Sequence, residues 1–346
     1  MADIPIIDVH GLLDGNGGDA EAVTAIGRAC RQVGFFYVAG HGIPGATIEA
    51  VFRHAADFFA ATPAVKQTVR YTGTSGNRGW VPLGGETLDP GTAPDLKECF
   101  NIGLELAEDD PELVAGRPFR HRNPWPALAG FRTAMLDYFD RAHRLGRELH
   151  QAFALDLGVD RSYFDDKLDR PMAVLRLLRY PGDVSPVAPD QMGAGEHTDY
   201  GNLTLLATDS VGGLAVRTRA GHWIEAPTVP GTLLCNIGDC LMRWTNDVYV
   251  STPHRVVSPR GRDRYSVAFF LDPNPDSLVA CLPGCVTQGS PKYAPVLAAD
   301  YLRSRLEPTY EAGGLAEAGG AALQSRSWDA ASRRKSGSGE PRSRQA

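Results

Sequence analysis

The chain has 346 residues, of which 43% are hydrophobic and 22% are charged, a composition typical of a soluble globular protein with a sizeable core. Its formal net charge of −6 disfavours a nucleic-acid-binding body, for which a basic balance is expected. The sequence shows neither a secretory signal nor an apolar run of membrane-spanning length, so we expect a cytoplasmic protein whose six cysteines are reduced.

The N-terminal part alternates short apolar segments with helical patterns. Residues 4–9 predict a strand, and Pro5 places it at the edge of a sheet. Residues 19–33 carry apolar side chains at helical spacing, residues 34–40 predict a second strand, and residues 44–61 predict another helix.

The middle of the chain is first loop-rich and then helical. Residues 70–125 contain many glycine, proline and threonine residues, and long loops of this kind often cover a functional site. The alternative is that they only join elements. A long amphipathic helix is predicted after Pro126, to about residue 157.

From Met172 onward, short apolar segments alternate with turn residues, among them Gly212-Gly213 and Gly238-Asp239. Strands are predicted at residues 174–180, 203–208, 214–217, 232–237, 248–251, 255–258 and 265–271. This regular spacing favours a closed β-sandwich or jelly roll. Together with the helices before it, the pattern predicts a mixed α/β fold with an all-β core.

Three regions are expected along the chain. Residues 1–125 form an N-terminal region of helices, edge strands and loop cover. Residues 126–310 form a helix and the jelly-roll core, ending in an amphipathic segment at 296–306. Residues 311–346 are mostly Gly, Ala, Ser and Arg and predict a disordered tail.

Three residues in the β-rich half suggest a metal site. His197 and Asp199 lie two residues apart, and on a strand their side chains would share a face. His254 follows Pro253 at a predicted strand start, in a fold where distant strands lie side by side. Two imidazoles and one carboxylate, with open positions opposite, are the ligand set of non-haem Fe(II) oxygenases.

A second pair of residues suggests a carboxylate-binding site. Arg264 and Ser266 are also two apart on a predicted strand, so they share a face. A guanidinium and a hydroxyl are suited to holding a carboxylate through charge-assisted hydrogen bonds. A buried Arg264 would be very costly without an anionic partner, and a carboxylate-bearing cosubstrate would supply one.

With these motifs, the chain resembles the isopenicillin N synthase-like family of Fe(II)- and 2-oxoglutarate-dependent oxygenases. The resemblance covers residues 4–306 and rests on the order His-x-Asp, His, Arg-x-Ser, and on the N-terminal segments 4–8 and 34–43. It implies a distorted double-stranded β-helix, a jelly roll with flanking N-terminal and central helices.

The resemblance also implies roles for individual residues. His197, Asp199 and His254 would bind Fe(II). Arg264, Ser266 and Tyr180 would bind the far carboxylate of 2-oxoglutarate. Plant relatives often carry Asn two residues before this tyrosine, where the present chain has Leu178, so the resemblance does not imply that polar contact here. Arg176 or Arg179 could supply another contact, and the alternative for each is a structural or solvated arginine.

Primary-substrate residues are predicted only from the loop-rich region. Substrate contact is predicted for Arg78, Trp80 and Phe100, which lie, as do Lys97 and Glu98, in segments that reach the substrate pocket in relatives. The alternative for each is a purely structural role.

The implied activity is oxidation of a small-molecule substrate by O2, with release of succinate and CO2 from 2-oxoglutarate. Hydroxylation, desaturation and ring closure are all open outcomes, as is a role in secondary metabolism. Neither nucleic acid nor a membrane is expected as a partner, and the sequence leaves the oligomeric state open.

Three other functions stay open at this point. Isopenicillin N synthase itself resembles this chain yet uses no 2-oxoglutarate, and there the Arg-x-Ser pair serves a substrate carboxylate. A jelly-roll binding protein without catalysis is the second alternative, although an intact ligand set argues against it. A zinc hydrolase on the same three ligands is the third, and it leaves Arg264 and Tyr180 without a role.

Overall fold

A computed structural model of the chain describes residues 4–13, 19–73, 76–89, 92–184, 191–286 and 289–312. The predicted tail lies outside the described residues from position 313 onward. In the described ranges the α-helices are α1 His10–Leu13, α2 Ala20–Gln32, α3 Gly45–Ala60, α4 Pro63–Gln67, α5 Pro111–Val114, α6 Phe131–Asp156, α7 Asp239–Trp244 and α8 Ala298–Ala312. No helix there is both long and apolar enough to cross a membrane.

Fourteen strands are found in the same residues. They are β1 Ile6–Asp8, β2 Phe35–Ala39, β3 Gly79–Val81, β4 Glu98–Gly103, β5 Val174–Tyr180, β6 Ala194–His197, β7 Leu203–Thr208, β8 Leu214–Arg217, β9 Trp223–Glu225, β10 Leu233–Ile237, β11 His254–Val256, β12 Arg264–Leu271, β13 Leu278–Val279 and β14 Val296–Leu297. An eight-stranded sheet has the order β1-β2-β10-β7-β12-β5-β4-β3, and a four-stranded sheet has the order β6-β11-β8-β9. Strands β13 and β14 form a small separate pair.

The two large sheets enclose one apolar core, and the helices cover a second. Strand β12 shows the division, because successive side chains of a strand point to opposite faces. Val267, Phe269 and Leu271 belong to the core shared with α2, α3 and α6. Ala268 belongs to the core between the sheets, and Phe270 packs against that core. This is the predicted jelly roll with an all-β core and flanking helices.

Most predicted elements are confirmed. Pro5 does precede an edge strand, and β5, β7 and β8 match their predicted bounds. Helix α2 begins after Asp19, whose carboxylate accepts hydrogen bonds from the backbone N–H groups of Glu21 and Ala22.

Two predictions in the β-rich half were wrong. Residues 248–251 are not a strand, because the backbone N–H of Val250 donates to Cys30 at the end of α2 rather than to another strand. The segment that begins at Asp239, interpreted from sequence as part of a turn, is helix α7. The six cysteines are all free, as expected.

Candidate functional site

The space between the two sheets contains a cavity of about 140 Å³. Strands of both sheets line it, together with the turn after β6 and helix α8. It receives every second residue of the β12 segment: Arg264, Ser266, Ala268, Phe270 and Asp272. The predicted metal ligands and the predicted carboxylate-binding residues therefore lie in one cavity.

His197, Asp199 and His254 converge at the middle of this cavity. One ligand atom from each lies within 4.8 Å of the other two. Asp199 Oδ1 is 3.7 Å from His254 Nε2 and 3.9 Å from His197 Nε2. Strands β6 and β11 bring the histidines together, since His197 and His254 are directly paired in the antiparallel register.

The other nitrogen of each imidazole is held by the backbone. His197 Nδ1 lies 2.7 Å from the carbonyl oxygen of Gly195, and His254 Nδ1 lies 3.2 Å from that of Thr252. A carbonyl only accepts, so each Nδ1 carries the proton and each Nε2 keeps a free lone pair. Burial, followed by the neighbouring His254, lowers the pKa of His197, which favours the neutral form that binds metals.

Asp199 is oriented by two strands of the large sheet. Its Oδ2 accepts hydrogen bonds from Asn236 Nδ2 at 2.7 Å and from Thr204 Oγ1 at 2.5 Å, which leaves Oδ1 facing the histidines. Burial alone would raise the pKa of Asp199, but the two imidazoles and these hydrogen bonds give a net lowering. The three residues thus present two neutral nitrogens and one carboxylate oxygen, a donor set that fits Fe(II).

The backbone at this cluster corrects one sequence-based expectation. His197 is the last residue of β6, and Asp199 lies in the following turn rather than on the same strand. That turn connects β6 of the small sheet to β7 of the large sheet. Convergence therefore arises from a change of sheet between the two ligands and not from strand alternation.

Arg264 lies at one end of the cavity and is 1% exposed. Its Nε donates to the carbonyl oxygen of Gly212 at 2.6 Å, and its Nη1 lies 3.4 Å from Ser266 Oγ. The guanidinium carbon is 4.8 Å from the centre of the Tyr180 ring, and Arg264 and Tyr180 are register partners on β12 and β5. Among the described residues no carboxylate pairs with Arg264, so the site fits an anionic group that the chain does not supply.

A cluster of buried charges forms another wall. Glu86, Lys97 and Arg176 line the cavity, and Asp95 lies beside them. Arg176 donates to both carboxylate oxygens of Glu86, at 3.1 and 3.2 Å. Lys97 Nζ is 2.5 Å from Asp95 and 3.5 Å from Glu86. Two positive and two negative groups therefore neutralise one another.

Asp272 lines the cavity at the opposite end from Arg264 and is 5% exposed. Burial, and to a lesser degree the negative charge of Asp199, raises the pKa of Asp272 to about 7. Neighbouring cavity residues include Tyr200 and Gly201 from the turn after β6, and Leu302 and Leu306 from α8.

Arg78, Trp80 and Phe100, the predicted substrate residues, are absent from the cavity lining in the described residues. Arg78 is buried and donates to the carbonyl of Gly76, Trp80 donates to Glu98, and the Phe100 ring packs 4.7 Å from that of Phe58.

These predicted residues miss the cavity because successive side chains of a strand point to opposite faces of the sheet. A shift of one residue along the strand therefore reverses the face on which a side chain lies. On β4, Phe100 points to the helices, whereas Asn101 accepts a hydrogen bond from Arg176 of the cavity wall. Instead of the three predicted residues, Asn77 and Lys97 of the same loop-rich region line the cavity.

The sequence interpretation missed the two residues that orient Asp199. Asn236 is 3% exposed within the otherwise apolar strand β10, and Thr204 is 4% exposed within β7. A buried amide in an apolar strand needs a polar partner. An asparagine within an otherwise apolar strand was therefore the sequence signal that could have identified Asn236.

Comparisons with known proteins agree with this geometry. Residues 4–128 match the family described as non-haem dioxygenase in morphine synthesis, N-terminal, and residues 171–273 match the 2OG-Fe(II) oxygenase superfamily. A 2-oxoglutarate-Fe(II) type oxidoreductase of Emericella nidulans is 36% identical over 316 residues, which cover 88% of this chain and 90% of that protein.

Two further relatives are informative. A homoarginine-6-hydroxylase of Glycine max is 36% identical over 294 residues, covering 81% of this chain and 88% of that protein. A Neurospora crassa protein crystallised with alpha-KG and thymine has a TM-score of 0.77 and 37% identity, covering 88% of this chain and 96% of that chain.

Proposed function

Because this chain belongs to the 2OG-Fe(II) oxygenase superfamily and is an Fe(II)- and 2-oxoglutarate-dependent dioxygenase, we propose that it oxidises a small molecule bound in the cavity between its two sheets. The observation that carries the proposal is the pairing, in one cavity, of a His-Asp-His cluster with a buried arginine for which the described residues supply no anionic partner.

In this proposal His197, Asp199 and His254 hold Fe(II) through Nε2, Oδ1 and Nε2. Bound Fe(II) supplies activation of O2, coupled to the conversion of 2-oxoglutarate to succinate and CO2. The backbone carbonyls behind the two histidines fix their tautomers, and Asn236 and Thr204 fix the carboxylate.

Arg264 and Ser266, with Tyr180 beside them, bind the far carboxylate of 2-oxoglutarate. The planar guanidinium suits a carboxylate, and its burial strengthens the interaction by excluding water. Leu178, which stands where plant relatives often carry Asn, belongs to the apolar core between the sheets. It therefore gives this part of the cavity an apolar wall.

The primary substrate occupies the part of the cavity beyond the metal, toward Phe270 and α8. Two named relatives support a compact substrate that contains nitrogen, one being a homoarginine-6-hydroxylase and the other having been crystallised with thymine. A mixed wall of apolar side chains and buried charges would hold such a molecule in one orientation.

The test is an anaerobic titration of the purified protein with Fe(II) and 2-oxoglutarate, followed by exposure to O2. We expect a metal-to-2-oxoglutarate charge-transfer absorption band and then release of succinate and CO2 in equal amounts. His197→Ala should abolish both signals, whereas His222→Ala, at an exposed position, should leave them unchanged. A wild-type protein that binds Fe(II) and oxidises a substrate without forming succinate would contradict the proposal.

A further inference from the structure

Asp272 is a buried carboxylate for which the part of the chain that the structure describes offers no partner. It directly follows β12 and continues the side of that strand that faces the cavity. No hydrogen bond or ion pair joins its side chain to any residue that the structure describes, and Asp199 is the one charged group that acts on it. An ionised carboxylate removed from water without a partner is strongly unfavourable, and a cation bound in the cavity would supply the partner that the described residues lack.

The backbone makes room for this carboxylate. A Cβ atom at position 201 would lie 2.0 Å from Asp272 Oδ1, so a larger residue there would force the Asp272 carboxylate to move. The same turn carries Asp199 and Tyr200. Asp272 therefore packs directly against the turn that carries Asp199.

The charges in the cavity balance one another except for that of Asp272. This step rests on the proposed function, because it counts bound Fe(II) and 2-oxoglutarate. Fe(II), Asp199, Arg264 and the two carboxylates of bound 2-oxoglutarate together carry no net charge. The cluster of Glu86 and Asp95 with Lys97 and Arg176 is neutral by itself.

The two arginines of α8 are also already engaged, and the first of them, Arg303, pairs with Asp300 of the same helix at 3.4 Å. Arg305 forms an ion pair with Asp239 at 2.9 Å and stacks 4.9 Å from the centre of the Tyr200 ring. Once metal and cosubstrate are bound, one negative charge at Asp272 remains without a counter-charge.

The position of Asp272 assigns it to the primary substrate. Phe270 is the register partner of Thr204, which holds Asp199, so this level of β12 lies beside the metal cluster. Along the β12 segment, Arg264 lies before Phe270 and Asp272 lies after it. Asp272 is two residues beyond Phe270, which is roughly 6–7 Å along the strand. The cosubstrate binds toward Arg264, which leaves the end at Asp272 free for the substrate.

We propose that Asp272 selects a primary substrate that carries a protonated amine or guanidinium group. The cation pairs with Asp272 at the end of the cavity away from Arg264. Phe270, Leu302 and Leu306 contact the carbon part of the same molecule. The two buried, unmatched charges of the β12 segment thus recognise two different ligands, an anionic cosubstrate and a cationic substrate.

The experiment uses the full chain with Fe(II) and 2-oxoglutarate, without O2, at pH 8. Two pairs of probes of matched shape are titrated: butylguanidine against butylurea, and cyclohexylamine against cyclohexanol. Binding is measured by calorimetry and by the change in the charge-transfer band. We expect a cationic probe to bind more tightly than its neutral partner. Asp272→Asn should lower the affinity for the cationic probe by at least about 30-fold, because the buried cation loses its anionic partner.

The matched control is Asp276→Asn, which removes the same charge from an exposed position four residues away and should leave probe affinity unchanged. The affinity of Asp272→Asn for 2-oxoglutarate should equal that of the wild type, which shows that the variant is folded. If the wild-type complex forms but neutral probes bind as well as cations, or if Asp272→Asn keeps the preference, the inference is overturned while the proposed function stands. A wild type that forms no charge-transfer complex overturns both.

Discussion

At the scale of single residues, two buried ionisable side chains illustrate different demands on their surroundings. Arg264 is fully buried and keeps hydrogen bonds only to a carbonyl and to a hydroxyl. His150 is also fully buried, between the carbonyl of Gly146 and the side chain of Asn202. Arg264 is placed to bind an anionic ligand, whereas His150 stabilises the fold only in its neutral form.

Replacing Arg264 by Gln should separate cosubstrate affinity from stability. We expect the dissociation constant for 2-oxoglutarate to rise at least about 30-fold, because the carboxylate loses a buried cationic partner. The free energy of unfolding without ligand should not fall, because an unmatched buried charge is removed. Titration with 2-oxoglutarate and urea unfolding measure the two effects, and a large loss of stability in the ligand-free variant would contradict this account.

His150 should make the protein sensitive to acid. Burial lowers the pKa of His150 to about 4, below its value in the unfolded chain, so the unfolded state takes up the proton first. Its contribution is fully present above about pH 6.5 and declines as the pH falls toward 4, by at most about 3 kcal/mol. Urea unfolding between pH 4 and 7 should show a shallower decline for His150→Gln than for the wild type. His222→Gln, at an exposed position, should follow the wild-type slope.

At the scale of elements, two pieces of secondary structure define the cavity. Strand β12 presents alternate side chains to the cavity and to the helix-covered core, so one strand serves both chemistry and stability. Helix α8 contributes Leu302 and Leu306 to the cavity lining. Its Arg305 joins the helix to Asp239 on α7 and to the Tyr200 ring.

Removing the Arg305 side chain should loosen α8. The lost ion pair and stacking contact are partly exposed and contribute about 1 kcal/mol together. Hydrogen exchange at the α8 amides should therefore become roughly fivefold faster in Arg305→Ala. Arg303→Ala, which removes only an exposed ion pair with Asp300 within the same helix, should change the exchange rate much less. Equal effects in the two variants would argue against a specific role for Arg305.

At the scale of the whole molecule, the metal site depends on the packing of one sheet against the other. His197 and His254 come from the small sheet, whereas the groups that orient Asp199 come from β7 and β10 of the large sheet. An unfolded chain cannot hold these groups together, so ligands that bind the site stabilise the folded state.

Metal and cosubstrate should therefore raise the free energy of unfolding. A ligand at a concentration 100 times its dissociation constant contributes about 2.7 kcal/mol. Thermal unfolding should show a higher Tm with Fe(II) and 2-oxoglutarate together than with 2-oxoglutarate alone, because the metal provides part of the cosubstrate's binding site. A chelator should reverse the increase. The His197→Ala variant should show no metal-dependent change in Tm, and a persistent change would place the metal elsewhere.

The sequence by itself determined the composition of the site and the succession of elements. Apolar periodicity and turn residues gave strands such as β5 and β7, because these signals depend on neighbours along the chain. The residues His197, Asp199, His254, Arg264 and Ser266 were identified from residue chemistry and order alone. They now lie in a single cavity.

Only the tertiary structure decided which side chains face that cavity. Phe100 and Trp80 pack away from it, whereas Asn77, Lys97 and Asp272 line it. Asp199 reaches the histidines through a turn between sheets, and Asn236 supports it from a distant strand. The physical reason is that strand parity, register and sheet pairing are fixed by long-range contacts, which a local pattern does not contain. The lone charge of Asp272 likewise became visible only when Lys97, Arg176 and Arg305 were each seen to pair with another carboxylate.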